Sequence, residues 1–184
     1  ITNNRDGIHL YYSSNNTITN NDIVGNSRGG IRLDHSSNNM IMGNVFINDG
    51  LVVSDSYGNI VEDNVVNGKP LVYLEGVSDY TVSDAGQVIL VKCSNIRVKN
   101  LNISNTDTAI LLWMTSNTMI TGNNITNNRD GIHLYYSSNN TITNNDIVGN
   151  SRGGIRLDHS SNNMIMGNVF INDGLVVSDS YGNI

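Results

Sequence analysis

Residues Ile1 to Ile60 recur without one substitution as Ile125 to Ile184, an offset of 124 within a chain of 184 residues. A chain that repeats in this way buries apolar surface between neighbouring units, so its architecture follows from the unit. A shorter period lies inside the long one. Apolar pairs with one residue between them occur at Ile8/Leu10, Ile31/Leu33, Leu51/Val53, Leu71/Tyr73, Val88/Leu90, Ile110/Leu112 and Ile132/Leu134. Their spacings of 23, 20, 20, 17, 22 and 22 sum to 124, which makes the long repeat six short units. Most units carry a second apolar pair five residues apart, such as Ile18/Ile23, Ile41/Phe46 and Ile120/Ile125.

Alternating apolar residues over four to six positions predict strands, and the Asn, Ser, Asp and Gly clusters between them predict turns. A unit of 17–23 residues with two or three short strands is one coil of an all-β fold, a parallel β-helix (β-solenoid) of about eight coils spanning residues 1–184 as one domain. Asn occurs 33 times. It suits corners that require left-handed backbone and side chains able to bond to the main chain or to each other. A hairpin-built sandwich, the other fold considered, calls for two-residue Asn-Gly turns and leaves the near-constant coil length unexplained.

The phrase Asn-Asn-x-Ile-x-x-Asn-x-Ile followed by Gly-Ile-x-Leu, at Asn15–Ile23 and Gly30–Leu33, resembles the right-handed β-helix repeats of NosD-type and related carbohydrate-binding and sugar-hydrolase domains. The stretch Asn67 to Asn105 resembles archaeal cell-surface members of that group. This resemblance implies right-handed coils and an extracellular or cell-surface location. It also raises copper supply, a role of NosD-type proteins, and polysaccharide chemistry, which related members perform.

With Ile8 and Leu10 inward, the residues beside them face out. The outward column contains an apolar band, Val52, Val72, Leu74, Ile89, Val91, Leu111 and Trp113, continued by His133 and Tyr135. A band of that size is covered in most soluble monomers. Either a second copy or an overlying loop such as Glu75 to Gln87 covers it, or Trp113, His133 and Tyr135 form a sugar-stacking platform. Arg32, Asp34, Arg156 and Asp158 are the polar residues positioned to contact such a sugar. Glycoside hydrolysis needs two carboxyls roughly 5–9.5 Å apart. Asp34 has Tyr11 and Ser54 as column neighbours, Asp55 and Glu75 are the other acidic residues nearby, and no catalytic residue is assigned. His35, Met40 and Met42, recurring as His159, Met164 and Met166, are the soft-ligand candidates for Cu(I). No cofactor is expected. The expected function is a non-catalytic structural or adhesive module that self-associates as a lateral dimer or an end-to-end filament, with a carbohydrate-binding or polysaccharide-active β-helix (a hydrolase or lyase) as the alternative and a NosD-like copper-binding protein as a weaker one.

Composition narrows the remaining classes. Ile, Leu, Val and Phe make up about 28 % of the chain, above the roughly 20 % below which disorder is expected. A net charge of -6 with scattered Arg provides no basic stripe for nucleic acid. Apolar runs of four or five residues, such as Val88 to Val91, are too short for membrane insertion through a helix. The single Cys93 excludes an internal disulfide framework. Ile1 falls mid-pattern with no leader features before it, so the sequence reads as a fragment or mature segment with self-complementary ends.

Overall fold

A computed structural model describes all residues, 1–184. It contains strands and no helix. Each coil contributes short strands to parallel sheets that run the length of a stack. In the first stack the long sheet pairs Asp6–Tyr11 with Gly29–Asp34 and that with Leu51–Ser54, so Ile8, Ile31 and Leu51 form one rung-to-rung column. In the second stack the long sheet runs through Lys69–Glu75, Gln87–Val91, Thr108–Trp113, Asp130–Tyr135, Gly153–Asp158 and Leu175–Ser178. The parallel β-helix read from the coil period is therefore present, as three rungs followed by six.

The Asn doublets divide their labour. The first Asn takes the left-handed conformation, with φ between 54° and 57° at Asn20, Asn38, Asn144 and Asn162, where Asn is tolerated better than most residues. The second turns inward and bonds along the stack. The backbone N–H of Asn21 donates to Asn44 Oδ1 (3.0 Å), that of Asn44 to Asn64 Oδ1 (2.9 Å), and that of Asn123 to Asn145 Oδ1 (3.0 Å). The side-chain amides also donate to corner carbonyls, as Asn145 Nδ2 does to Ile120 O and Thr143 O. Corner backbone that no strand can pair is thus satisfied inside the protein. Ser36, Ser137 and Thr115 serve other corners in the same way.

The stacks are not collinear. At Asn67 (φ 50°) and Gly68 (φ 82°) the chain makes a two-residue hairpin that pairs Val65–Val66 antiparallel with Lys69–Pro70. Two successive positive φ values define the turn whose twist suits a hairpin. The strand after it therefore does not lie on Leu51–Ser54. Leu71 and Tyr73 align with Gln87 and Ile89, while Val72 and Leu74 align with Val88 and Leu90 and pack into the core of the second stack. This corrects the expected column, in which Leu71 and Tyr73 point in and Val72 and Leu74 point out. A change of one residue in register moves every side chain to the opposite face.

The bare end of the first stack lies on the outer face of the second. Ile89, Val91, Leu111 and Trp113 are buried in one apolar cluster with Leu51, Val53, Val61 and Val66. The band that called for a covering is covered by residues 49–66 of its own chain, and the Glu75 to Gln87 segment is not what covers it. Each such side chain contributes about 1.5–3 kcal/mol when removed from water. Polar groups complete the seam: Thr106 Oγ1 donates to Asp49 O (3.1 Å), the Gly58 N–H donates to the Glu75 carboxylate (2.7 Å), and Lys92 Nζ lies 3.9 Å from the centre of the Tyr57 ring.

Candidate functional site

Where the two outer faces meet, the chain encloses an open cleft of about 410 Å³, within the ~300–1,000 Å³ range of small-ligand sites. One wall is the first stack, presenting Arg28, Arg32, Asp34, Val52, Ser54 and Asp55. The other is the second stack, presenting Asp107, Leu111, Arg129, Asp130, His133, Tyr135, Arg152, Arg156 and Asp158. Twins from the exact repeat thus occupy opposite walls: Arg28 and Arg152, Arg32 and Arg156, Asp34 and Asp158.

Strand alternation explains why these residues reach the cleft. In Gly-Gly-Ile-Arg-Leu-Asp the Ile and Leu enter the core, so the Arg and Asp two residues apart point out side by side. Ion pairs then fix them. Arg156 donates through Nη2 to Asp158 Oδ2 (2.8 Å) and through Nη1 to Asp130 Oδ1 (3.4 Å). Arg32 donates through Nη2 to Asp34 Oδ2 (3.2 Å), and its Nε lies 3.4 Å from Asp6 Oδ1. Arg129 joins the walls, since its Nη1 donates both to Asp107 Oδ1 and to Arg28 O, each at 3.2 Å.

Burial sets the protonation states. It pushes the Asp107 carboxyl up to about 6, against the opposing pull of Arg129. It lowers His133, against the hydrogen bond to Asp158. Burial also raises Asp158, but the His133 hydrogen bond and the Arg156 charge outweigh it and hold that carboxyl below its ordinary value. A neutral His133 beside an ionised Asp158 must carry its proton on Nε2, which donates across 2.8 Å. Burial and the Asp55 charge raise the Tyr135 hydroxyl to about 12, so it remains a donor at neutral pH.

Of the residues singled out in the sequence, Arg32, Asp34, Val52, Leu111, His133, Tyr135, Arg156 and Asp158 meet in this cleft. Trp113 does not. It is 3 % exposed and lies under Tyr57, with ring centres 6.4 Å apart, so it cannot stack on a sugar. Ile89 and Val91 are likewise fully buried. Sequence reasoning missed Arg28, Asp107, Arg129, Asp130 and Arg152. The Arg-Asp dipeptide ahead of Gly131, which repeats Arg5-Asp6, was the available signal.

The molecule is thus a β-helix bent back on itself around a polar cleft. It belongs to the family described as periplasmic copper-binding protein (NosD), whose sequence model matches residues 1–86 and 51–184. No curated protein matches the chain. Among solved structures it is similar to the A-modules of the Azotobacter vinelandii mannuronan C-5 epimerases AlgE4 (15 % identity, TM-score 0.38, 89 % of this chain and 55 % of that one) and AlgE6 (14 %, 0.34, 97 % and 58 %). The chain spans little more than half the length of these two modules. A weaker similarity is to HetL, a pentapeptide repeat protein from Nostoc sp. strain PCC 7120 (13 %, 0.22, 96 % and 89 %).

The residues present do not fit a copper centre. No three or more His, Cys, Asp or Glu side chains are grouped to hold a metal ion. Met40 lies between Thr17 and Ile60, and Met42 between Thr19 and Glu62, none of which is a soft ligand. The His35 ring is stacked on Tyr12 at 4.6 Å. The Cys93 thiol is buried, its one proton shared between Leu74 O and Val91 O, each 3.3 Å from Sγ.

Proposed function

We propose that this chain is a carbohydrate-binding β-helix that works outside the cytoplasm. The observation that carries this reading is the convergence of the twin Arg-x-Asp strands on one cleft. Guanidinium groups donate and carboxylates accept, and the ion pairs hold both in place before a ligand arrives. Neighbouring sugar hydroxyls, each donor and acceptor, match such interleaved groups. The rings of Tyr135 and His133 supply a surface for the apolar face of a pyranose. The family description as periplasmic supports the location.

Calorimetric titration with neutral and uronate-containing oligosaccharides tests the reading. Arg156→Lys keeps the charge but loses the planar fork, and weakens binding roughly tenfold or more, the scale of one good charge-assisted hydrogen bond. Tyr135→Phe provides a second variant that leaves the ion pairs intact. Binding of no oligosaccharide, or binding unchanged in both variants, contradicts the proposal.

A further inference from the structure

Past Arg129 the cleft gives way to a second space of about 280 Å³, lined by polar side chains and glycines with no hydrophobic residue among them. Asp107 and Arg129 line both spaces and mark where they meet. The coil corners dictate what borders the second one. In Asn48-Asp49, Asn105-Thr106 and Asn127-Asn128 the first residue is left-handed, with φ of 51°, 56° and 56°, and it stays exposed while the second is buried. Asn105 and Asn127 directly follow paired strands, so they lie one rung apart, and Asn48 lines the same space from the first stack. The backbone of these corners is satisfied, the Asn48 N–H by Asn67 Oδ1 (2.8 Å) and the Asn127 N–H by Val148 O (3.0 Å), and neither side-chain amide bonds to another residue. Asp107 is 8 % exposed, and its carboxylate accepts from Arg129 through Oδ1 alone (3.2 Å), leaving Oδ2 without a partner where the two spaces meet.

Resting on the carbohydrate reading of the cleft, we infer that this second space is a further subsite, and that it holds an uncharged sugar unit of the same glycan chain. A side-chain amide offers two donors and an accepting oxygen, which matches neighbouring hydroxyls. A sugar carboxylate finds no free cation there. The one guanidinium, that of Arg129, already serves Asp107 and Arg28 O through Nη1, and Asp49, whose Oδ2 accepts from both nitrogens of Asn26, adds a carboxylate of its own. Asp107 Oδ2 accepts from a hydroxyl at the junction, so the chain stays bonded as it passes Arg129. The protein accordingly takes an oligosaccharide in preference to a single sugar, and affinity grows with the length of the chain.

Calorimetric titration of the full chain with graded series, disaccharide to hexasaccharide, of neutral and uronate-containing oligosaccharides tests the inference. Affinity for the neutral series rises roughly tenfold or more once the chain is long enough to pass Arg129, the gain expected from two or more added hydrogen bonds. Asn48→Gly combined with Asn127→Gly removes both amides at positions whose left-handed backbone glycine adopts freely, and it lowers hexasaccharide affinity to that of the disaccharide. An unchanged thermal midpoint verifies that the double variant keeps the fold. Binding as tight for the disaccharide as for the hexasaccharide, or a gain with length that survives in the double variant, overturns the further subsite and leaves the reading of the cleft intact. A gain made by the uronate series alone overturns the uncharged assignment. Binding of no oligosaccharide at any length overturns both together.

Discussion

Gln87 pairs with both backbone groups of Leu51: its Oε1 accepts from the Leu51 N–H and its Nε2 donates to the Leu51 carbonyl, each at 2.9 Å. The same Nε2 donates to Thr108 O (2.9 Å), and the side chain is fully buried. An open strand edge otherwise invites pairing with another chain. Here one amide takes the place of the missing strand, and the two stacks lock where the chain has turned back.

Gln87→Leu removes that closure and keeps the volume. Three backbone groups, the Leu51 N–H and the Leu51 and Thr108 carbonyls, lose this partner at about 1 kcal/mol or more each, so chemical denaturation should show a loss of roughly 3 kcal/mol or more. Hydrogen exchange should place the loss in Gly29–Ser54 more than in Asp130–Asp158. Equal loss of protection in both stacks contradicts a localised seam.

Gly50 and Gly174 form a matched pair in which sequence context is constant and packing differs. Gly50→Ala forces a methyl against Thr106 and Gln87 and should cost about 1–3 kcal/mol, as overpacking does. Gly174→Ala should change stability by less than about 0.5 kcal/mol, the usual range for an unconstrained surface position. Equal effects by thermal unfolding would argue against end-on-face docking.

Asn145→Ala should be among the most damaging Asn substitutions. Its side chain serves the N–H and Nδ2 of Asn123 and donates to Ile120 O and Thr143 O, all within the stack. Buried donors and acceptors left unpaired cost roughly 2–4 kcal/mol in total. The neighbouring exposed Asn124, whose amide reaches only Asn102 Oδ1 at 3.3 Å, should lose under about 0.5 kcal/mol on conversion to Ala. Urea midpoints compare the two directly.

Asp107 should make stability fall as pH rises. An unfolded Asp carboxyl titrates near 3.9, whereas in the folded cleft it titrates at about 6. Between these values the folded state holds the extra proton, so the contribution is full below about pH 4 and lost through pH 6. Relative to Asp107→Asn, the native chain should lose on the order of 2 kcal/mol between pH 4 and 7. A difference that stays flat or grows with pH would show that Arg129 outweighs burial.

The coil period, the Asn corners and most outward columns were legible because each is written in local alternation. Ile110/Leu112 and Ile132/Leu134 point inward as their spacing requires, and Arg156 and Asp158 point out. The turn at Asn67-Gly68 was also written in the chain, as a hairpin dipeptide. It was obscured because Leu71-Val72-Tyr73-Leu74 is apolar at every position, so a period of two cannot say which face is buried. The cleft was legible only in pieces. Arg32 and Arg156 are separated by 124 positions, and the bend that faces them across one space is a tertiary event.

Acrylamide quenching of Trp113 tests the bent architecture most directly, because it is the sole tryptophan and sits on an outer face. In a straight rod that face is open to water. In the arrangement described here the ring lies beneath the coil of residues 49–66. Measured on monomeric protein, emission should be blue-shifted and nearly insensitive to quencher until denaturant separates the stacks. Red-shifted, freely quenched emission from the folded monomer would contradict the account.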